Sequence, residues 1–264
     1  MAPVALTIAG SDPGGAAGIQ ADLKTFAAFG VWGTSVVTAL TAQDTTAVYA
    51  RVDVEPAFVV AQLDAVLGDL PVAAAKTGMV GRVATVEAIA ARLAAVPDLP
   101  LVVDPVLVAT AGQTLGEPGL AAAVRRVLLP RAALVTPNLA EAEALVGAPV
   151  ADVRAMAQAA RALVAHGARA ALVTGGHLAG DPVDVLWDGS RVRELAARRV
   201  GGRFHGAGCA LSAAIAAGLA IGRSLDDAVD DARRWVADAL AAAPALGRGA
   251  RPLAHHVAPR RREQ

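Results

Sequence analysis

Short, unbroken apolar runs alternate along this chain with longer segments of helical spacing, and that alternation constrains its fold more than any other feature. Val4 to Ala9, Ser35 to Leu40, Ala73 to Lys76, Leu101 to Asp104, Ala133 to Thr136 and Ala170 to Thr174 read as strands. Ile19 to Phe29, Pro56 to Leu67, Val83 to Leu93, Leu120 to Leu128 and Ala151 to Ala165 read as helices between them. Pro56 stands in the first turn, where its missing N–H costs nothing. Val183 to Trp187 and Val192 to Leu195 flank Asp188-Gly189, a hairpin turn signal, and helices from Gly208 to Ile221 and Leu225 to Ala242 close the chain. Continuous apolar strands between helices predict an α/β fold, a mostly parallel sheet covered on both faces. No linker and no repeat interrupts residues 1–264, so a single doubly wound domain is expected. Ligands of such sheets bind beyond the carboxyl ends of the strands, and the residues there are the ones to read.

Hydrophobic residues make up 55% of the chain and alanine supplies much of that share, so the core should consist of helices lying close on a sheet. The formal net charge is zero, which argues against nucleic-acid binding through a general basic field. Cys209 is the single cysteine and excludes both an internal disulfide and a cysteine zinc cluster. The opening residues lack the pattern of a signal peptide, and the longest apolar stretches are too short to span a bilayer, so a cytoplasmic location is expected. Arg248 to Gln264, with its Gly, Pro and Arg content, reads as a loosely docked tail. His255 and His256 are adjacent within it and point apart on an extended chain, which disfavours a shared metal.

Several strand ends carry residues suited to chemistry. Gly206-Ala207-Gly208-Cys209 opens the penultimate helix, where small residues admit an anion to the backbone amides and the helix end adds positive charge. A thiol in that first turn should have a lowered pKa. The alternative is tight packing of glycines with Cys209 as a small buried hydrophobe. Gly10 to Gly18 is a glycine-rich loop after the first strand, without the spacing of a P-loop or of a dinucleotide fingerprint. Asp104 ends an apolar strand. Asn138 and Glu141 read as a capping box, with a role for Glu141 in holding a water of Mg²⁺ as the second possibility. Lys76-Thr77-Gly78-Met79 and Gln43-Asp44 occupy equivalent places.

Taken in order, these segments resemble the hydroxymethylpyrimidine/phosphomethylpyrimidine kinases of the ribokinase-like superfamily. The resemblance is carried by Ala5 to Pro13, Gly18 to Phe26, Thr38 to Gln43, Lys76 to Met79, Val103 to Val106, Thr136 to Glu141, Gly175 to His177 and His205 to Cys209, nearly the whole chain. It implies a three-layer α/β/α fold, a homodimer, and ATP with Mg²⁺ as cofactors. It also implies a pyrimidine pocket of Gly10, Asp22, Gln43, Met79 and Val106. Cys209 would stand in the place of the aspartate base of most ribokinase-like enzymes, and the amides of Gly206, Ala207, Gly208 and Cys209 would form an anion hole. Asp104 and Glu141 would organise Mg²⁺, with Asn138, Thr174 and His205 on the nucleotide side. Three departures stand out: Ala207 replaces a threonine, Gly14 and Ala16 alter the first loop, and Thr174 replaces a lysine. The last implies weaker hold on the ATP phosphates unless an arginine such as Arg203 substitutes.

Two other readings stay open: a pyridoxal kinase of the same fold, and a pyrimidine-binding protein without turnover. Gln43 with Met79 favours an aminopyrimidine over pyridoxal.

Overall fold

The computed structural model describes residues 2–107 and 116–260. Strand β1 (Val4–Ser11) leads into helix α1 (Gly18–Ala28), then β2 (Trp32–Gln43), β3 (Val48–Asp53), α2 (Pro56–Asp69), β4 (Val72–Thr77), α3 (Val83–Leu93) and β5 (Leu101–Val103). Helix α4 (Leu120–Ala123) continues through a wide turn to Leu128 and a tight one to Arg131, ahead of β6 (Leu134–Val135). There follow α5 (Leu139–Val146), α6 (Val153–Ala165), β7 (Ala171–Val173), β8 (Val183–Trp187), β9 (Val192–Ala196), β10 (Phe204–His205), α7 (Ala207–Ala220), α8 (Leu225–Ala241) and β11 (Arg251–Pro252).

Nine strands form one sheet in the order β3-β2-β1-β4-β5-β6-β7-β8-β9. The six from β2 to β7 run parallel, and β3, β8 and β9 are antiparallel at the two edges. Strand alternation divides the core into two layers. Leu6, Ala75, Val103 and Val135 face α2 to α6, while Ala5, Ala74, Val102 and Leu134 face α1, α7 and α8. The alanine content of α7 lets it lie close on the sheet. At Gly218 an added Cβ would come within 2.8 Å of Ala228 Cβ, so α7 and α8 approach almost backbone to backbone.

The expected strands and helices are present, with three differences. β2 extends to Gln43 and β3 pairs with it, although Tyr49 and Val52 on β3 are exposed, as an edge strand with one uncovered face allows. α6 starts at Val153, since Asp152 caps it by accepting the Ala155 N–H at 2.7 Å. The segment from Arg248 is not loose: Leu253, Ala254 and His255 are buried, β11 pairs with β10, and Trp235 Nε1 donates to Val257 O at 2.7 Å. Its residues beyond 260 lie outside the described part. Among the described residues, no helix is long and apolar enough to cross a membrane.

Candidate active site

Beyond β1 the chain folds around its own Asp12. That carboxylate accepts the N–H groups of Gly14 (2.8 Å), Ala16 (3.1 Å) and Ala17 (2.9 Å). Burial alone would raise its pKa, but the His205 ring and the amides of Ala17 and Gly14 outweigh it and hold the carboxyl below its usual range. Gly14 and Ala16 serve here through their main chain, so their departure from the family pattern leaves the loop bonded. Gly206, at φ +85°, caps α7, and a Cβ there would lie 1.8 Å from Ala16 O. Left-handed backbone and lack of room both demand glycine. The start of α7 is thereby pressed against the loop. Its first amides, at Ala207, Gly208 and Cys209, have no acceptor within the helix.

Cys209 is half-buried, and its thiol lies within electrostatic reach of Asp104. The expected lowering of its pKa does not occur. Removal from water pushes the thiol up to about 12, and the carboxylates of Asp104 and Asp22 reinforce this against the pull of Lys76 and the Gly18 N–H. A local helix-end effect is outweighed by desolvation.

Beneath the thiol lies a charge cluster. Lys76 Nζ donates to Asp22 Oδ2 at 2.8 Å and Oδ1 at 2.9 Å, and stands 3.8 Å from Asp104 Oδ2. Thr7 Oγ1 donates to Asp22 at 2.6 Å and Ser212 Oγ to Asp104 at 2.9 Å. Burial would strip the Lys76 proton, but Asp22, Cys209 and Asp104 outweigh it and raise its pKa, so the ammonium is kept. Asp22 is 0% exposed with both oxygens taken, which puts it under the floor of the site and not among groups that can touch a ligand. Thr7 and Ser212 were not singled out from the sequence. Ser212 had a signal, because it lies three residues after Cys209 and so on the same helix face.

Gly10, Met79 and Val106 do come together. A Cβ on Gly10 would lie 2.5 Å from Met79 Cε, and Ala39, Met79 and Val106 pack as a small apolar cluster of their own. Gln43 closes β2 beside them, with its Nε2 2.9 Å from His205 Nε2 and its Oε1 accepting from Thr41 Oγ1 at 3.2 Å. His205 thus sits with Gln43 and not with Asn138 and Thr174.

Those two meet at the far strands, where Thr174 N donates to Pro137 O at 2.8 Å and bridges Asn138. The capping box is complete: Asn138 Oδ1 accepts from Glu141 N, and Glu141 Oε2 from Asn138 N, each at 3.0 Å. Glu141 is also electrically linked to Asp104. Burial, and then the Asp104 charge, push Glu141 up to about 8, and burial raises Asp104 too against the pull of Lys76. Lys76 lies beside Asp104, but no cation of the described residues is among the groups that shift Glu141, whose carboxyl is raised by burial and by the Asp104 charge. The oxygens of the two carboxylates suit a hard dication. Among the described residues no three such side chains group as a metal cage. The pair therefore fits an ion that keeps most of its waters, as Mg²⁺ does. The cation tied to the loop after Thr174 is Arg199, which donates to the carbonyls of Gly176 (3.0 Å), Gly180 (2.5 Å) and Leu178 (2.5 Å).

A family model described as phosphomethylpyrimidine kinase matches residues 12–254. A hydroxymethylpyrimidine/phosphomethylpyrimidine kinase of Rhizobium meliloti is 51% identical over 260 residues, covering 97% of each chain. A thiamine biosynthesis bifunctional protein of Geobacter sulfurreducens is 48% identical, and the chain spans 52% of its length. An ADP complex of Bacillus subtilis pyridoxal kinase matches with a TM-score of 0.90 at 35% identity, covering 97% of this chain and 98% of that one. A phosphomethylpyrimidine kinase structure from Clostridium difficile matches with a TM-score of 0.81 at 37% identity, covering 90% and 99%. The fold these chains share is the ribokinase-like one.

Proposed function

The chain belongs to the phosphomethylpyrimidine kinase family, and we propose on that premise that it transfers the terminal phosphoryl group of ATP first to 4-amino-5-hydroxymethyl-2-methylpyrimidine and then to the monophosphate formed, in thiamine biosynthesis. The observation that carries this reading is the close seating of Gly206, at the start of α7, on the main chain of the glycine-rich loop at Ala16, which brings the loop to the first amides of the helix that carries Cys209. The apolar cluster of Met79 and Val106, packed against Gly10, supports it.

The ring lies against Met79 and Val106 with its amino edge on Gln43. The equatorial oxygens of the migrating phosphoryl group accept the amides of Gly206 to Cys209, where charge grows during transfer. A bond forms from the substrate hydroxyl oxygen to phosphorus as the bond to the bridging oxygen of ADP breaks. Cys209 takes the hydroxyl proton. With a thiol near 12 it does so through a small thiolate fraction, so the amides carry most of the acceleration. Asn138 and Thr174 line the nucleotide side. A bound Mg²⁺ would neutralise phosphate charge there, its waters held by Asp104 and Glu141.

The enzyme is further proposed to act in the cytoplasm as a homodimer. Trp32, Leu40, Tyr49, Val52 and Phe58 form the exposed apolar side chains of β2, β3 and α2 that a second copy would cover. ADP release measured with hydroxymethylpyrimidine, its monophosphate and pyridoxal tests the assignment. Turnover of the first two is expected, and preference for pyridoxal would overturn the substrate.

A further inference from the structure

Gln43 and His205 are 162 residues apart in sequence, yet their side-chain nitrogens lie 2.9 Å from each other. The contact is built by a third segment. Thr45, two residues after Gln43, offers its Oγ1 to the N–H groups of Arg248 and Gly249, each at 3.1 Å, and its carbonyl to Ala250 N at 3.0 Å. Arg251 N then donates to Arg203 O at 2.8 Å, and β11 pairs with the strand that carries His205. A Cβ on Gly249 would lie 1.9 Å from Thr45 O, so this strap seats only with glycine there. The C-terminal strap therefore clamps the turn after Gln43 to the segment before α7. The same ring nitrogen, Nε2, lies 3.5 Å from Asp12 Oδ2, and the imidazole side chain is only 12% exposed.

A primary amide has two N–H donors and two acceptor lone pairs. In Gln43 one N–H donates to His205 Nε2, which accepts it in the tautomer protonated at Nδ1. Oε1 faces the Thr41 hydroxyl at 3.2 Å, whose one proton it shares with Ser11 O at 3.0 Å. One donor and one acceptor remain, side by side, the complement of a ring nitrogen next to an amino group. Without His205 only the Thr41 hydroxyl holds the amide, and a hydroxyl accepts from an N–H as readily as it donates to a carbonyl, so the amide can turn about its terminal bond and present the pair in the wrong order. We propose that His205 is the positioning residue for pyrimidine recognition, holding the Gln43 amide in the polarity that reads a 4-amino edge. This rests on the reading that Gln43 meets that edge. His205 does not share the end of the sheet where Asn138 and Thr174 meet. Four strand spacings separate β2 from β6, on the order of 19 Å, and His205 contacts β2.

The test compares His205→Phe, which keeps a ring without a hydrogen bond, with His205→Gln, whose terminal group reaches the position of Nε2. His205→Phe should raise KM for hydroxymethylpyrimidine by at least about tenfold, with kcat within about threefold and KM for ATP unchanged. His205→Gln should recover most of the loss. If His205→Phe does not fold, His205→Ala with added imidazole gives the same comparison. In a Gln43→Ala background the His205→Phe effect should vanish. A raised KM for ATP instead, no recovery in His205→Gln, or multiplied losses in the double variant would each overturn the proposal. If Gln43→Ala alone leaves KM for hydroxymethylpyrimidine unchanged, the reading of Gln43 fails first and is identified as the step that failed.

Discussion

Lys76 Nζ lies 2.8 Å from Asp22 Oδ2, and neither side chain is exposed to solvent at all. The pair joins the end of β4 to α1 directly below the start of α7, and the same ammonium stands 3.8 Å from Asp104. One buried cation thus balances two carboxylates, one with a purely internal role and one at the reacting end of the site.

Replacing one partner strands the other as an unpaired buried charge. Lys76→Met should cost about 3–5 kcal/mol in urea unfolding. Lys76→Met with Asp22→Leu should recover much of that, because the stranded charge is removed. Activity should stay low in the double variant, since Asp104 would still lack its neighbour. A single variant as stable as the parent would mean that the pair is not ionic.

Cys209 gives a prediction with a defined sign. Its thiol is raised from an ordinary value of 9.0 to about 12, so the thiolate fraction is small at neutral pH and grows with pH up to that value. If the thiolate accepts the substrate proton, kcat should climb between about pH 6 and 9, approaching tenfold per unit while chemistry limits the rate. Cys209→Ala should lower kcat by roughly 10²- to 10⁴-fold with little change in KM, and it should remove that slope. A flat profile in the parent protein would instead make Cys209 a neutral hydrogen-bond donor.

The parts of this fold legible in sequence are those where burial is two-sided. Val102 and Leu134 face one helical layer and Val103 and Val135 the other, so both strand faces are apolar and the run is unmistakable. β3 was not, because Tyr49, Arg51 and Asp53 alternate with apolar residues on an edge whose outer side faces solvent. The tail misled through its composition: its anchoring depends on Trp235, on β10 and on Thr45, all remote in sequence. The site follows the same rule. Asn138 and Glu141, three residues apart, were readable as a cap, and the cap forms. The Cys209 pKa and the partner of His205 are set by groups that only the folded chain brings near.

Glu141 links stability to pH and to metal. Its carboxyl titrates at about 8 in the folded chain against an ordinary 4.5, so folding favours the protonated form. That stabilisation is full below 4.5 and is lost as pH rises through 8. Glu141→Gln keeps an acceptor for Asn138 N–H but removes the charge. In metal-free buffer its Tm should match the parent near pH 4.5 and exceed it above pH 8. Mg²⁺ should raise the parent's Tm at pH 8 and raise the variant's less. Parallel Tm curves, with and without Mg²⁺, would leave Glu141 as a helix cap alone.

Gln43 is where substrate choice should be decided. A 4-aminopyrimidine edge presents an amino donor beside a ring-nitrogen acceptor, and the amide donor and acceptor left over from His205 and Thr41 are its complement. Gln43→Glu preserves the shape but replaces the free donor by an ionised oxygen facing the ring nitrogen. An unsatisfied buried group costs about 1–3 kcal/mol, and more when it is charged. The variant should therefore lose at least roughly tenfold in kcat/KM for hydroxymethylpyrimidine. Pyridoxal has no amino edge, so whatever turnover it shows should fall less. The fold match to a pyridoxal kinase makes this comparison informative, because two substrates can then be read against one scaffold. Equal losses on both would mean that Gln43 supports the fold. A larger loss on pyridoxal would mean that the amide reads a different edge from the one assigned to it.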